Sequence, residues 1–135
     1  TESLFIGKSV EKVRKILESL RDLGVLLALD DFGTGFASLT YLRKLPFSRI
    51  KIDQSFIREM LVRRDCEAIV KSIVRLAHDL CIDVVAEGVE SQEQLDYLCQ
   101  INCNEAQGYY IGWPMVADQA LGLLDSQRKK AVRAA

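Results

Sequence analysis

Residues 25–35 read VLLALDDFGTG and pass from a continuous apolar run directly into two aspartates and a glycine-bearing loop. The apolar run, Val25 to Leu29, is typical of a parallel strand that is buried on both faces. Asp30 and Asp31, followed by the loop from Gly33 to Gly35, indicate that this strand opens into a polar site. In parallel α/β folds the functional side chains gather at that end of the strands.

The same unit of helix and strand recurs along the chain. Apolar residues at helical spacing predict five main helices, which run from Val10 to Leu23, Ser38 to Leu45, Cys66 to Cys81, Ser91 to Leu98 and Ala117 to Leu124. Short apolar or alternating runs predict four strands, at Val25 to Leu29, Arg49 to Asp53, Val84 to Ala86 and Glu105 to Gly112. Strict alternation of this kind predicts right-handed crossovers and a parallel sheet.

The predicted fold class is therefore α/β, with four parallel strands alternating with helices. A complete (β/α)8 barrel takes about 250 residues, so a chain of 135 residues fits half of such a barrel. A small doubly wound open sheet is the competing architecture. We expect one partial domain over 1–127 and a basic tail over 128–135.

The composition narrows the class of protein. The chain is 49% hydrophobic and 27% charged, as expected for one soluble globular domain. A net charge of −1, without a basic run interleaved with aromatics, argues against polymeric DNA or RNA as a partner. No apolar stretch approaches the roughly 20 residues that cross a bilayer. The four cysteines form no CxxC pair and are interpreted as reduced, structural thiols of a cytoplasmic protein.

Polar residues at the predicted strand ends are the candidates for chemistry: Asp30, Asp31, Lys51, Asp53, Glu87 and Gln107. Adjacent carboxylates repel one another unless cations neutralise them, so the Asp30–Asp31 pair suits a hard divalent ion such as Mg²⁺ or Mn²⁺. Glu87 adds an oxygen ligand from another strand end. The alternative is that the aspartates only cap a helix entrance.

Lys51 lies inside an apolar strand, where an unpaired ammonium would be costly. It either points into a polar cavity or forms a structural ion pair with Asp53 or Glu87. In a carboxylate-rich site it could position an attacking water or stabilise negative charge on a phosphate, whereas acting as a base would require a lowered pKa. These alternatives remain open from the sequence.

Other features carry weaker signals. The loop DFGTGFAS could suggest a kinase magnesium loop or a phosphate cradle, but the chain has no HRD motif, no Walker A motif and no dinucleotide fingerprint. His78 lies on a predicted helix away from the strand ends and is assigned a surface or packing role. Tyr109, Tyr110 and Trp113 are interpreted as packing residues rather than as a nucleobase cage.

Three strings, LALDDFGTGFASLTYLRKLPFSRIKIDQSFI, VVAEGVES and AQGYYIG, together closely resemble the EAL family of cyclic di-GMP phosphodiesterases. The resemblance runs from Thr1 to about Leu124. It implies the C-terminal half of a modified (β/α)8 barrel, in which two Mg²⁺ or Mn²⁺ ions hydrolyse cyclic di-GMP to linear pGpG. A cytoplasmic domain is implied, in a parent protein that carries sensory domains and could be anchored in a membrane.

The resemblance also assigns roles to individual residues. Asp30 would bridge two metals, Asp31 and Glu87 would serve the second metal, and Lys51 would position or activate the hydrolytic water. Four residues would support the loop or the substrate site: Glu2, Asp53, Glu90 and Gln107.

The remaining first-metal ligands of the family would lie upstream of Thr1, so we expect the isolated chain to be inactive and to self-associate through unfinished sheet edges. Two alternatives stay open: an EAL-like receptor that binds cyclic di-GMP without cleaving it, and a regulatory interaction fragment.

Overall fold

A computed structural model describes residues 9–34 and 39–122. Five helices are α1 (Ser9–Asp22), α2 (Leu39–Lys44), α3 (Gln54–Glu59), α4 (Arg64–Asp79) and α5 (Gln92–Gln100). Four strands are β1 (Ala28–Phe32), β2 (Arg49–Ile52), β3 (Asp83–Glu87) and β4 (Glu105–Gln107). Residues 117–122 are also helical. None of the described helices combines the length and the apolar character needed to cross a bilayer.

The strands form one parallel sheet in the order β1-β2-β3-β4. Each strand therefore pairs with its neighbour in sequence, as in a (β/α)8 barrel. A doubly wound sheet reverses its strand order at a switch point, and the described sheet has no such reversal. The parallel α/β prediction is confirmed, and the doubly wound alternative is wrong for these strands.

The hydrophobic core lies between one face of the sheet and the helices. Ile50, Ile52, Val84 and Ala86 of β2 and β3 are completely buried there, against the apolar stripe of α4. The residues that alternate with them point to the opposite face, where Arg49 of β2 forms an ion pair of 2.5 Å with Glu105 of β4. Helices thus cover one face, and the other face carries charged side chains, including those of the candidate site.

The first strand lies further along the chain than the apolar run predicts. Val25 and Leu26 are 45% and 73% exposed and precede the strand, which begins at Ala28 and includes both aspartates. The expectation of a strand buried on both faces is wrong, because β1 is an edge strand of the described sheet and contributes only Phe32 to the fully buried core.

Two further boundaries differ from the prediction. The last strand ends at Gln107 rather than Gly112, because the Gly108 carbonyl accepts hydrogen bonds from Ile111 and Gly112 and closes a turn. The helix α3 was not predicted, although Asp53 at its N-cap is the usual signal. Predictions for Glu2, Gly35, Ser38 and residues 123–135 lie outside the described residues.

Candidate metal centre

The two aspartates lie at a β-bulge in β1. Leu29 pairs with Ile50, and Phe32 pairs with Ile52. Between these two pairs, β1 therefore has two residues where β2 has one. Asp31 has a φ of 52°, a left-handed conformation that aspartate tolerates better than most residues. The extra residue returns Phe32 to the buried, helix-facing side and leaves Asp30 and Asp31 together on the polar side.

Lys51 lies between carboxylates from the two neighbouring strands. Its Nζ donates to Asp30 Oδ1 at 2.8 Å and lies 2.5 Å from Glu87 Oε1. The hydrogen bond to Asp30, followed by the one to Glu87, raises the pKa of Lys51 against the opposing effect of burial. The side chain is therefore a cation at neutral pH in this arrangement. The predicted ion pair with Glu87 is confirmed, whereas the one with Asp53 is not formed.

Three carboxylates converge beside this lysine. One oxygen each from Asp30, Asp31 and Glu87 lies within 4.8 Å of the others. The Glu87 side chain is 19% exposed and the Asp30 side chain 64%, so the cluster opens to solvent on the β1 side. Carboxylate oxygens are the ligands that Mg²⁺ and Mn²⁺ prefer. The described residues thus fit a hard divalent cation.

A cavity of about 250 Å³ adjoins the carboxylates. Its wall is formed by the loops that follow β2, β3 and β4, and its lining residues are Asp31, Asp53, Gln54, Arg58, Glu87, Gly88, Glu90, Gln107, Gly108 and Tyr109. Gly88 turns the chain after β3 with a φ of 75°, and a Cβ at this position would lie 2.6 Å from the Gln54 Cβ. Glycine is therefore required for the close approach of this loop to α3.

The predicted supporting residues also border the cavity, each with a structural partner or place in the fold. Asp53 caps α3 by accepting a hydrogen bond of 2.9 Å from the Ser55 backbone N–H. Glu90 accepts a hydrogen bond of 3.0 Å from Arg58 Nε. Gln107 is the last residue of β4 and pairs in register with Glu87.

Two side chains of this region were missed from the sequence. Arg58 lines the cavity from the last turn of α3, an element that was not predicted. Gln94 was recognised only as part of a capping box, which is confirmed. Its buried amide also donates to the Ile57 carbonyl at 3.2 Å and accepts from the Glu90 N–H at 2.7 Å. It thereby fastens the loop after β3 to α3 and α5.

The aromatic residues after β4 are not packed in the core. Tyr109, Tyr110 and Trp113 are 51%, 44% and 66% exposed, so they lie outside the core of the described residues, and Tyr109 and Trp113 stack on each other. They follow a strand that ends at Gln107, and therefore lie in a surface turn rather than within the sheet. His78 is exposed on α4, as predicted, and all four cysteines are free thiols.

Comparison with known proteins identifies the class. Residues 1–114 match the EAL domain family, and the chain belongs to that family. Over 106 residues it is 48% identical to the bifunctional diguanylate cyclase/cyclic di-GMP phosphodiesterase MucR of Pseudomonas aeruginosa, covering 78% of this chain and 16% of MucR.

Solved structures agree with this assignment. The PaMucR phosphodiesterase in complex with c-di-GMP is 44% identical with a TM-score of 0.78, and the match covers 84% of this chain and 46% of that one. A manganese/cy-diGMP complex of Klebsiella pneumoniae BlrP1 is 38% identical with a TM-score of 0.68, covering 76% of this chain and 26% of that one. EAL domains have a TIM-type barrel fold, so the four strands are the C-terminal half of such a barrel. The chain spans less than half of each of these structures.

Proposed function

We propose that this chain contributes the metal-binding carboxylates and the catalytic lysine of a phosphodiesterase that hydrolyses cyclic di-GMP to linear pGpG. The convergence of Asp30, Asp31 and Glu87 within 4.8 Å, with Lys51 beside them, carries the proposal. The complexes of PaMucR with c-di-GMP and of BlrP1 with manganese and cy-diGMP support it. The four residues come from three adjacent strands, so the sheet itself sets their spacing.

Two divalent ions, Mg²⁺ or Mn²⁺, are the cofactors we propose. Asp30 would bridge them, and Asp31 and Glu87 would serve one of them. Such ions activate water and neutralise charge on the phosphate during in-line displacement. The anionic cluster would attract cations to this end of the sheet, and the extra residue of the bulge places two adjacent carboxylates on the same face.

Lys51 acts in this proposal as a fixed cation. Its ammonium is held by Asp30 and Glu87. It is therefore preorganised to donate a hydrogen bond to the attacking water or to a phosphate oxygen. Without metal ions, the hydrogen bonds to Asp30 and Glu87 raise the pKa of Lys51, and acting as a general base would require the opposite shift. Gln107 and Glu90, at the cavity wall, would hold the substrate or the neighbouring loops.

The 135-residue chain alone is expected to have little activity. Two octahedral ions need more protein ligands than the three carboxylates that the described residues bring together. We also expect the isolated chain to self-associate, because β1 and β4 each have only one neighbour in the described sheet. Sedimentation analysis tests this expectation, and a monodisperse monomer would contradict it.

The decisive experiment is hydrolysis of cyclic di-GMP with Mg²⁺ or Mn²⁺ by the full-length protein and by two aspartate variants. Asp30→Asn keeps the side-chain shape and removes the charge. We expect kcat to fall at least about 100-fold, since replacing a residue that only hydrogen-bonds to a metal ligand already lowers metal affinity or activity about 10- to 100-fold. Asp22→Asn, at the exposed end of α1, is the matched control. Equal activity of Asp30→Asn and wild type would refute the proposal. If the wild-type protein bound cyclic di-GMP without hydrolysing it, the result would favour a receptor.

The lysine is tested in the same assay. Lys51→Met preserves the length of the side chain and removes its charge, and we expect kcat to fall about 100- to 1,000-fold, the usual effect of removing a donor aimed at a developing negative charge. Lys44→Met, exposed at the end of α2, provides the control. A change in KM without a change in kcat would mean that Lys51 only binds substrate.

A further inference from the structure

An ion pair crosses the polar face of the sheet below the candidate metal centre. Arg49 of β2 and Glu105 of β4 lie on strands that are not neighbours, yet Nη2 of the arginine is 2.5 Å from Oε1 of the glutamate. Arg49 pairs in register with Asp83, whereas Glu105 pairs with Val85. The ion pair therefore spans β3 between these two residues and joins strands about 10 Å apart.

The ion pair and Val85 form a row of side chains, here called the lower row, directly beneath three residues of the candidate site. Each of the three strands carries the next side chain of the same face two positions further along: Lys51 after Arg49, Glu87 after Val85 and Gln107 after Glu105. Such neighbours on one face of a strand are about 7 Å apart. The spacing of the strands at the lower row therefore sets the spacing of the side chains above it.

Stability gives no reason for charged residues in the lower row. In a complete (β/α)8 barrel this face is the interior, which bulky branched side chains usually fill. Val85 follows that rule and is only 5% exposed, whereas the Arg49 and Glu105 side chains are 31% and 47% exposed in the described sheet. An ion pair in contact with solvent adds little to stability, and a buried one rarely adds more than apolar residues of the same size.

We propose that the Arg49–Glu105 ion pair positions Lys51 and Glu87 for the reaction. The inference rests on the proposed function and adds two positioning residues to the same site. By joining β2 to β4 across β3, the ion pair fixes the strands that carry Lys51 Nζ and Glu87 Oε1, which lie 2.5 Å apart. Among the described residues that line the cavity, neither Arg49 nor Glu105 occurs. The two residues therefore act through the side chains above them and not by touching the substrate.

Steady-state hydrolysis of cyclic di-GMP by the full-length protein tests this role. Arg49→Met keeps most of the side-chain length and removes the ion pair. Because a displacement of about 1 Å can cost about 100-fold in rate, we expect kcat to fall about 10- to 100-fold. KM should stay within about threefold of wild type, since no contact with substrate is lost. Arg14→Met is the matched control, because it breaks two ion pairs that lie within α1, and its kcat should stay within about twofold of wild type.

Exchanging the two charges separates positioning from the mere loss of a side chain. Arg49→Glu places two carboxylates across β3 and should lower kcat at least as much as Arg49→Met. Adding Glu105→Arg restores opposite charges and the combined length of the two side chains, so the double variant should regain at least about 10-fold in kcat over Arg49→Glu alone. Equal kcat values for these single and double variants would overturn the proposal.

A purely structural role would give a different result. Arg49→Met would then lower Tm and leave kcat within twofold of wild type at 25 °C, which would also overturn the proposal. Glu105→Gln is the milder variant, since it keeps the shape of the side chain and removes only its charge. It should lower kcat by about threefold or more without loss of folded protein, as checked by circular dichroism. An unchanged kcat in Glu105→Gln would count against the proposal in the same way.

Mn²⁺ binding without substrate separates this inference from the proposed function. Electron paramagnetic resonance of free Mn²⁺ gives the Kd of the full-length protein. Removing the Arg49 cation would by itself favour Mn²⁺ and lower Kd, whereas displacement of Glu87 weakens the site. We therefore expect Arg49→Met to raise Kd about 10-fold, and an unchanged or lower Kd would refute the positioning role. A raised Kd in a protein that never hydrolyses cyclic di-GMP would refute only the proposed function.

Discussion

Replacing Gly108 by alanine should damage both the stability of the fold and the candidate site. The new Cβ would lie 2.1 Å from the Val89 carbonyl oxygen and 2.3 Å from the Val89 nitrogen, whereas ordinary contacts begin near 3.4 Å. Both contacting atoms belong to the backbone and cannot rotate away. The turn must therefore move by more than 1 Å, roughly the difference between these distances.

The expected cost follows from the contacts that this movement disturbs. Overpacking of this kind costs about 1–3 kcal/mol. The shift also weakens two hydrogen bonds, from the Val89 N–H to Gln107 and from the Tyr110 N–H to Val89, each worth about 1 kcal/mol. We expect the free energy of unfolding to fall by about 3–5 kcal/mol, a large part of the 5–15 kcal/mol of a typical domain.

Urea denaturation of the full-length protein, followed by circular dichroism, measures this cost. Gly112→Ala is the matched control four residues away, where the new Cβ would meet only the flexible end of Met115 at 3.3 Å, and its effect should stay below about 1 kcal/mol. If Gly108→Ala proved as mild as Gly112→Ala, the close approach of the turn to the loop after β3 would be wrong. The geometry assigned to the site would then fail with it.

Two other predictions concern buried polar groups. Gln94→Ala leaves backbone groups of the loop after β3 and the Ile57 carbonyl without their side-chain partner. The free energy of unfolding, measured in urea, should therefore fall by roughly 3 kcal/mol. Gln100→Ala, at an exposed position, should cost less than about 0.5 kcal/mol, and equal losses in the two variants would contradict the role of Gln94. Burial raises the pKa of the Cys103 thiol from 9.0 to about 11. Between about pH 9 and pH 11, the folded state thus retains a proton that the unfolded state loses. The stability that this thiol contributes, up to about 3 kcal/mol, is fully present below pH 9 and is lost as pH rises through 11. Denaturation from pH 8.5 to 11 should show a shallower decline for Cys103→Ala than for the exposed Cys81→Ala, and parallel declines would refute the assignment.

The alternation of helix and strand was predictable because each apolar run is followed by a polar or glycine residue that ends it. The capping box of Ser91 and Gln94 predicted the start of α5, and the structure contains that capping box. The position of β1 was not predictable in this way. Hydrophobicity favoured Val25 and Leu26, but pairing with β2 selects the residues from Ala28 onward, and strand pairing is a tertiary contact that hydrophobicity alone does not specify.

The sequence predicted which residues form the candidate site better than it predicted which of them contact one another. Carboxylates at strand ends indicated Asp30, Asp31 and Glu87, which the structure brings together. The partner of Lys51 could not be chosen from the sequence, because Asp53 and Glu87 are both close to a strand end. The structure resolves the choice locally, since Asp53 is engaged by the N-terminus of α3. Arg58 was missed because α3 is too short to produce a recognisable periodic pattern.

The β-bulge in β1 has a consequence for protein engineering. On a regular strand, neighbouring side chains point to opposite faces, so an Asp-Asp pair substituted there would send one carboxylate into the helix-facing core. Transplanting this cluster to another parallel strand would therefore require inserting one aspartate as well as changing one residue to aspartate. Deleting Asp31 would leave Leu29, Asp30 and Phe32 in regular alternation, with a single carboxylate on the polar face.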